Sequence, residues 1–344
     1  MVKKQQDTID IFAVSRMAKV SPATVSRVFN HPHLVRPNTR SAVDLAVEKL
    51  GYVRNRKPKS VGGKRSGTIG VIVPTVTNAI FAEVIQAFSD VVKQSGFSTL
   101  IAIHDYDLNQ ELDILRKFLE LQVDGIALIG LQHLKATYKT IEQRAIPAIS
   151  IWNYDPASEI SCVGTDNYEA GYLATKHLID LGHKEIGIAF PPTDDNDRAR
   201  KRLQGARTAL SGAGMEPADQ WTVQSVYEIT KAKNACLDLL SIDKIPSAIV
   251  CGNDIIAQGA SFACQRLGLS VPDDLSIVGI GDFTGSADME PPLSTVRIPA
   301  RRIGQQAGHH LAITILENKP TEILRSQLGV EMIVRGTTAP YVAA

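Results

Sequence analysis

Cysteine is scarce in this chain: 4 in 344 residues, at Cys162, Cys236, Cys251 and Cys264. None forms a CxxC pair and none has histidine at metal-ligand spacing. This argues against a disulfide framework or a cysteine-based metal site, and for free thiols in a reducing compartment. No run approaches the ~18 consecutive apolar residues of a membrane span. The N-terminus carries Lys3, Lys4 and Asp7 with no apolar stretch before a cleavage site, so no secretory leader is expected. Enzyme signatures are missing too: there is no GxGxxG at the first βα turn, no GxxxxGK(S/T), no HExxH and no GxSxG. The acid pairs Asp194-Asp195 and Asp273-Asp274 stand in loop or turn contexts near proline, where solvation or capping accounts for them better than acid–base chemistry. No enzymatic activity, no cofactor and no metal is expected, and the expected location is the cytoplasm.

Charge is unevenly placed. The net charge of +1 hides a head, residues 1–66, with 14 Lys and Arg against 4 Asp and Glu, and a remainder with 23 against 32. A basic head on an acidic body points to a polyanion as the head's partner. A merely solubilising basic tail is the alternative, but residues 10–52 are patterned for helices.

Within the head, Val20-Ser21-Pro22-Ala23-Thr24-Val25-Ser26-Arg27 reads as the turn and second helix of a helix-turn-helix. Ser21 is a good N-cap, and Pro22 sits at the first helical position, where its missing N–H costs nothing. Val25 and Val28 fall inward, leaving Ala23, Thr24, Ser26 and Arg27 outward. Small, hydrogen-bonding and basic side chains suit a helix that enters the major groove of DNA. An ordinary capped amphipathic helix is the plainer alternative. Asp10 caps a preceding helix with Ile11, Val14 and Met17 or Ala18 inward. His31-Pro32-His33 breaks the chain. Pro37 opens a third helix with an apolar stripe of Ala42, Val43, Ala46, Val47 and Leu50, stopped by Gly51, with Tyr52 folding back.

Residues 53–66 form a basic, glycine-containing linker. From Thr68 the pattern becomes buried-strand runs alternating with amphipathic helices: Ile69–Val73, Ser98–Ile103, Gly125–Ile129 and Ala148–Trp152, then a second series from about Asp166 with strands at Glu185–Phe190, Trp221–Val226, Ala248–Cys251 and Ser276–Ile280. Such a pattern predicts parallel sheets covered on both faces, here two doubly wound α/β subdomains with a ligand cleft at the strands' carboxyl ends.

These segments together closely resemble the LacI/GalR family of bacterial transcription regulators. The resemblance is carried by Val20–Val28 with Asn30, Leu50-Gly51-Tyr52, Asn55, Thr68–Pro74, Asp124-Gly125, Asp166-Asn167 with Ala170-Gly171, and Leu181-Gly182-His183. It continues through Arg202 with Gly205, Asn253-Asp254, Val271–Asp274, Val278-Gly279 and Pro292–Val296. Thr77–Glu83, Cys264–Leu269 and Gly281-Asp282-Phe283 look nearest to the gluconate-utilisation repressors within it.

The resemblance implies an all-α helix-turn-helix headpiece at residues 1–53 and a hinge at 54–67. It implies a periplasmic-binding-protein-like core at 68–338, with an N-subdomain of about 68–164 and 296–326 and a C-subdomain of about 165–295 and 327–338. It places operator DNA contacts at Ser21, Pro22, Ala23, Thr24, Ser26, Arg27 and Asn30, and at the hinge residues Asn55, Arg56 and Val61. Arg54, Lys57 and Lys59 are expected on phosphates. The chain departs from the family at Lys19, where Gly or Asn is common, at Pro58 in place of Ala, and at Val61 in place of a leucine that wedges into the minor groove.

The effector contacts it implies are Arg202, which suits a carboxylate, and Asn253. Aromatic stacking candidates are Phe81, Trp152 and Tyr227, and Asp282 is a further candidate. Asp254 is expected to cap the next helix, and Arg198, Arg200 and Lys201 resemble a surface charge run. Trp152 and Gly281 replace two aspartates that bind sugar hydroxyls in many members, so a sugar acid such as gluconate fits better than a neutral sugar. The expected protein is a homodimeric, nucleoid-associated repressor of carbohydrate utilisation genes, bound to double-stranded, near-palindromic operator DNA and released by its effector. An activator or a co-repressor-dependent regulator is the alternative. A periplasmic sugar-binding protein would share the core but lacks a head. The tail after Thr338 has no leucine heptads, so no tetramerising helix is expected.

Overall fold

The computed structural model describes residues 10–52, 65–77, 79–317 and 322–342. The chain divides into two compact units, Met1–Ser66 and Gly67–Ala344.

The first unit holds α1 (Ile11–Ala18), α2 (Pro22–Asn30) and α3 (Pro37–Leu50). Asp10 caps α1 by accepting from the Ala13 N–H at 2.8 Å. Ser21 caps α2 by accepting from the Thr24 N–H at 3.1 Å. Gly51 ends α3 at φ +60°, a conformation open to glycine without steric cost. Val14, Val25, Val28, Val43 and Ala46 form the core, with Ile11, Ala18, Val47, Leu50 and Tyr52 packed around it. Of the two residues expected at the end of the α1 stripe, Ala18 takes the inward place and Met17 is exposed. Tyr52 folds back as expected, its ring 6.3 Å from that of Phe29. Lys19 takes the left-handed φ of +54° between α1 and α2, where Gly or Asn would sit with less strain.

The second unit runs β1 (Thr68–Val73), α4 (Ala79–Gln94), β2 (Ser98–Ile103), α5 (Leu108–Glu120), β3 (Gly125–Ile129), α6 (Lys135–Arg144), β4 (Ala148–Asn153) and β5 (Ser161–Thr165). It continues with α7 (Asn167–Asp180), β6 (Ile186–Phe190), α8 (Asp197–Gly212), β7 (Thr222–Gln224), α9 (Ile229–Leu240), β8 (Ala248–Cys251), α10 (Asp254–Leu267) and β9 (Ser276–Gly281). It closes with β10 (Ser294–Arg297), α11 (Ala300–Glu317), β11 (Arg325–Gln327) and β12 (Glu331–Ile333).

The strands form two six-stranded sheets, ordered β11-β5-β4-β3-β1-β2 and β12-β10-β9-β8-β6-β7. Every pairing is parallel except β10 with β12. Strands β3, β5, β6 and β8 are buried along their whole length, as sheets covered on both faces require. The chain passes between the lobes three times: after β5, between β10 and α11, and between β11 and β12. Val296 and Arg297, expected to begin the return to the first lobe, instead pair with Ile280 and Gly281 in the second sheet. The return starts at α11, whose Gly304 and Gly308 let it lie close against Val84 and Phe88 of α4. All four cysteines are buried free thiols.

Candidate DNA-reading helix and ligand cleft

Val25 and Val28 fix α2 on the head's core and so decide which side faces outward. Ser21, Ala23 and Arg27 are exposed, while Pro22, Thr24, Ser26 and Asn30 are half-buried. The Thr24 hydroxyl lies 2.9 Å from that of Ser21, within the cap. The Asn30 amide donates back to the Ser26 carbonyl at 2.8 Å and to its hydroxyl at 3.1 Å, so it also closes the last turn of α2. The hinge candidates Asn55, Arg56 and Val61, with Pro58, lie outside the described residues.

In the second unit the carboxyl ends of both sheets face each other, and polar side chains meet between them. Arg202 on α8 is 5 % exposed. Its Nε donates to Asn167 Oδ1 at 2.8 Å and its Nη1 to the Gly252 carbonyl at 3.0 Å. Among the described residues no carboxylate lies within ion-pair distance of it, and burial lowers its pKa to about 10. One turn earlier Arg198 is equally buried, against the surface position expected of it. Its Nη1 donates to Asp197 Oδ1 at 3.0 Å, and its guanidinium lies 5.9 Å over the Phe81 ring. Asp197 Oδ2 reaches the first lobe, accepting from the Leu131 N–H at 2.9 Å and from Asn153 Nδ2 at 2.5 Å. Asn153 Oδ1 accepts from Asn167 Nδ2 at 3.1 Å.

Phe81 and Trp152 pack edge to face, centroids 5.4 Å apart, and Trp152 holds a φ of +91°. Tyr227 accepts from Asn196 Nδ2 at 3.1 Å, with its ring 6.4 Å from that of Tyr106. Gly281 has φ +141°, and a Cβ there would overlap the Phe283 ring, so this backbone leaves no room for the acidic side chain common at that place.

Two further expectations need correction. The cap of α10 is Asn253, whose Oδ1 accepts from the Ile256 N–H at 3.0 Å. Asp254, expected to cap, is fully buried and accepts from the Phe283 N–H and the Ser286 and Thr295 hydroxyls. Burial pushes its pKa up, and those three donors oppose the shift. Asp282 is not presented to the cleft as an unpaired acceptor: its oxygens take Arg297 Nε and Arg335 Nη2, each at 2.7 Å. A strand-end aspartate reads the same in sequence whether it meets a ligand or an arginine pair.

The sequence reading passed over His104, Tyr106, Asn153, Thr165, Asn167 and Asp197. Several share a signal with Asn253 and Trp152, because they sit at or just past a strand's carboxyl end. His104 Nδ1 and Nε2, Trp152 Nε1, Thr165 Oγ1 and Asn253 Nδ2 are buried with no hydrogen-bond partner among the described residues. The Tyr106 hydroxyl is likewise buried, beside Arg198 but outside ordinary hydrogen-bond geometry. Buried polar groups are normally paired; these stand at or just past the carboxyl ends of β2, β4, β5 and β8, the edge at which α/β folds bind ligands.

Residues 11–55 match the model of bacterial regulatory proteins, lacI family, and residues 175–338 match that of a periplasmic binding protein-like domain. The regulator GntR of Escherichia coli (strain K12) is 33% identical over 314 residues, 90% of this chain and 91% of GntR. The chain belongs to the LacI/GalR family. The repressor CytR of Escherichia coli (strain K12) is 31% identical to this LacI/GalR regulator over 340 residues, 98% of each chain. The solved lac repressor dimer bound to operator and the anti-inducer ONPF superposes with a TM-score of 0.81, covering 97% of this chain and 100% of that one; at 24% identity this is a likeness of fold. The relatives are DNA-binding transcription regulators and not enzymes, and this LacI/GalR chain is one of them. Among the described residues no helix is long and apolar enough to cross a membrane.

Proposed function

We propose that this LacI-family repressor controls sugar-acid utilisation genes and leaves its operator when a gluconate-like acid enters the cleft. The observation that carries the ligand class is the charge in the cleft. Arg198 and Arg202 are both buried there; Asp197 is bonded to Arg198 and shared with Leu131 and Asn153, while among the described residues no carboxylate lies within ion-pair distance of Arg202. A buried cation without a full counter-charge is costly, and a ligand carboxylate supplies that charge with bidentate geometry. Trp152 and Gly281, in place of carboxylates, remove two groups that would repel an anion. The near resemblance of Thr77–Glu83 and Cys264–Leu269 to gluconate-utilisation repressors supports the same class.

Repression follows from the head. Two copies of α2 in a homodimer read two half-sites of a near-palindromic operator, with Ser21, Pro22, Ala23, Thr24, Ser26, Arg27 and Asn30 toward the groove and Asn55, Arg56 and Val61 in the hinge at its centre. Exposed Ile229 and Phe262 on the outer face of the second lobe, and Ile101 and Ile103 on the edge strand of the first, are apolar surfaces suited to the partner subunit. Acid bound between the lobes stabilises one lobe arrangement, and the operator the other; the difference in affinity sets the response.

Thermal unfolding of the full chain with added ligands tests the ligand class. An acid at about 100 times its Kd adds roughly 2.7 kcal/mol of stability. Gluconate and ketogluconate are expected to raise the Tm, and glucose and ribose to leave it unchanged. The reverse pattern overturns the sugar-acid reading.

A further inference from the structure

The residues that hold a carboxylate do not explain how the rest of a polyhydroxylated acid is read, and His104 is suited to that task. It stands directly after β2 on the first-lobe wall, 4 % exposed, with both ring nitrogens unpartnered among the described residues. A buried donor or acceptor left unpaired is unfavourable, so the position invites a partner.

The chemistry of that partner follows from the protonation state of His104. Among the described residues the one carboxylate within ion-pair distance is Glu111, with Oε2 3.9 Å from Nε2; Asp107, three residues on, also faces the ring. Glu111 is committed elsewhere, both oxygens lying 2.9 Å from His133 Nδ1. His133 Nε2 lies 3.0 Å from the Gly130 carbonyl, which can only accept, so Nε2 carries a proton. The Glu111 carboxylate is thus engaged by His133 and stands beyond hydrogen-bond distance of His104. Burial, the largest influence, and the Arg198 guanidinium of the opposite lobe favour the neutral ring and outweigh the opposing pull of Glu111 and of the Asp107 backbone. A neutral imidazole presents one donor and one acceptor. That set matches a hydroxyl, which both donates and accepts; a carboxylate only accepts.

We infer that His104 is the hydroxyl-reading residue of the cleft, bonding one hydroxyl of the acid whose carboxylate lies at Arg198 and Arg202. Glu111 and His133 are positioning residues that keep the loop after β3 and the wall beside His104 in place. The inference rests on the sugar-acid reading above and adds the side chain that discriminates among such acids.

The test is calorimetric titration of D-gluconate, and of analogues each lacking a single hydroxyl, into the full-length protein and its His104→Leu and His104→Asn variants. Wild type is expected to lose about tenfold or more in affinity for one particular analogue. His104→Leu is expected to bind gluconate about tenfold more weakly and to show no further loss for that analogue, while the ratios for the other analogues stay as in wild type. His104→Asn, which keeps a donor and an acceptor, is expected to retain part of the discrimination. Operator affinity measured alongside reports that each variant is folded. Unchanged gluconate affinity in His104→Leu overturns the inference alone, as does an equal loss for every ligand with all ratios preserved, which is what a purely structural role produces. Failure of gluconate to bind wild type overturns the sugar-acid reading and the inference with it.

Discussion

Arg198 and Arg202 are joined by a chain of hydrogen bonds that leaves their own lobe and returns to it. Arg202 donates to Asn167, Asn167 to Asn153 of the first lobe, Asn153 to Asp197, and Arg198 donates to the other oxygen of Asp197. Each link pairs a donor with an acceptor, so the two guanidinium groups are held in place before a ligand arrives, and such preorganisation lowers the ordering cost of binding.

Arg202→Met removes the buried cation that lacks an ion pair and leaves a side chain of similar length. Losing the desolvation cost of an unpaired buried cation stabilises, and losing its hydrogen bonds to Asn167 and the Gly252 carbonyl opposes that gain. The Tm of the free protein is expected to stay within a few degrees of wild type, while the Tm rise with gluconate disappears. Thermal unfolding with and without the acid measures both, and operator affinity is expected to be unchanged.

Gly205→Ala reaches the same arginine through packing. A Cβ at Gly205 would overlap the Tyr168 carbonyl, and one at Gly171 would overlap that of Arg202, so α7 and α8 cross with backbone against backbone. Both contacts are to main-chain atoms, which cannot rotate away. Overpacking of this kind costs about 1–3 kcal/mol, occasionally more. A lower urea midpoint is expected, together with weaker acid binding as α8 and Arg202 move outward.

Acid sensitivity follows from four histidines, His104, His177, His183 and His310, whose pKa values burial lowers from the ordinary 6.5. The unfolded chain therefore takes up protons first as pH falls. Stability is fully present above about pH 6.5 and declines as pH drops below it toward the lowered folded values. Denaturant midpoints between pH 8 and pH 5 are expected to fall in the acid half only. His183, bonded to Ser247 and to the Ala339 carbonyl at 3.0 Å each, ties down the C-terminal segment. His183→Gln is expected to flatten the acid decline while lowering the midpoint at pH 8.

In the head, Ser21→Ala removes the hydroxyl that caps α2 and costs about 1 kcal/mol. A lower Tm for the head's transition is expected, with weaker operator binding and an unchanged slope of affinity against salt, since no phosphate-binding cation is lost.

Much of this architecture was legible in the sequence because its strands are apolar runs and its main helices carry apolar stripes. Two elements were passed over although their residues are buried at helical or strand spacing: α11, whose stripe Ile303, Ala307, Leu311 and Ile315 is interleaved with small residues, and the four-residue β10. The others lack those signals. Helix α6 buries only Thr137 and Ile141, β5 is the short run Ser-Cys-Val-Gly-Thr, and β11 and β12 have three residues each. In the cleft, Arg202 was legible and Arg198 was not, because both stand in one basic run. Helical pitch separates them: Arg198 and Arg202, four apart, are buried, whereas Arg200 is exposed and Lys201 half-buried. Asn253 and Asp254 exchange the roles expected of them because either side chain can cap a helix, and only the third dimension brings Ser286 and Thr295 to Asp254.

The most direct test of the whole account is fluorescence anisotropy of a labelled palindromic operator from the protein's own upstream region, at fixed salt, with gluconate-type acids and neutral sugars added in turn. Specific, salt-sensitive binding is expected, abolished by a sugar acid and left intact by neutral hexoses and pentoses. Release by a neutral sugar, with every acid inert, would contradict it.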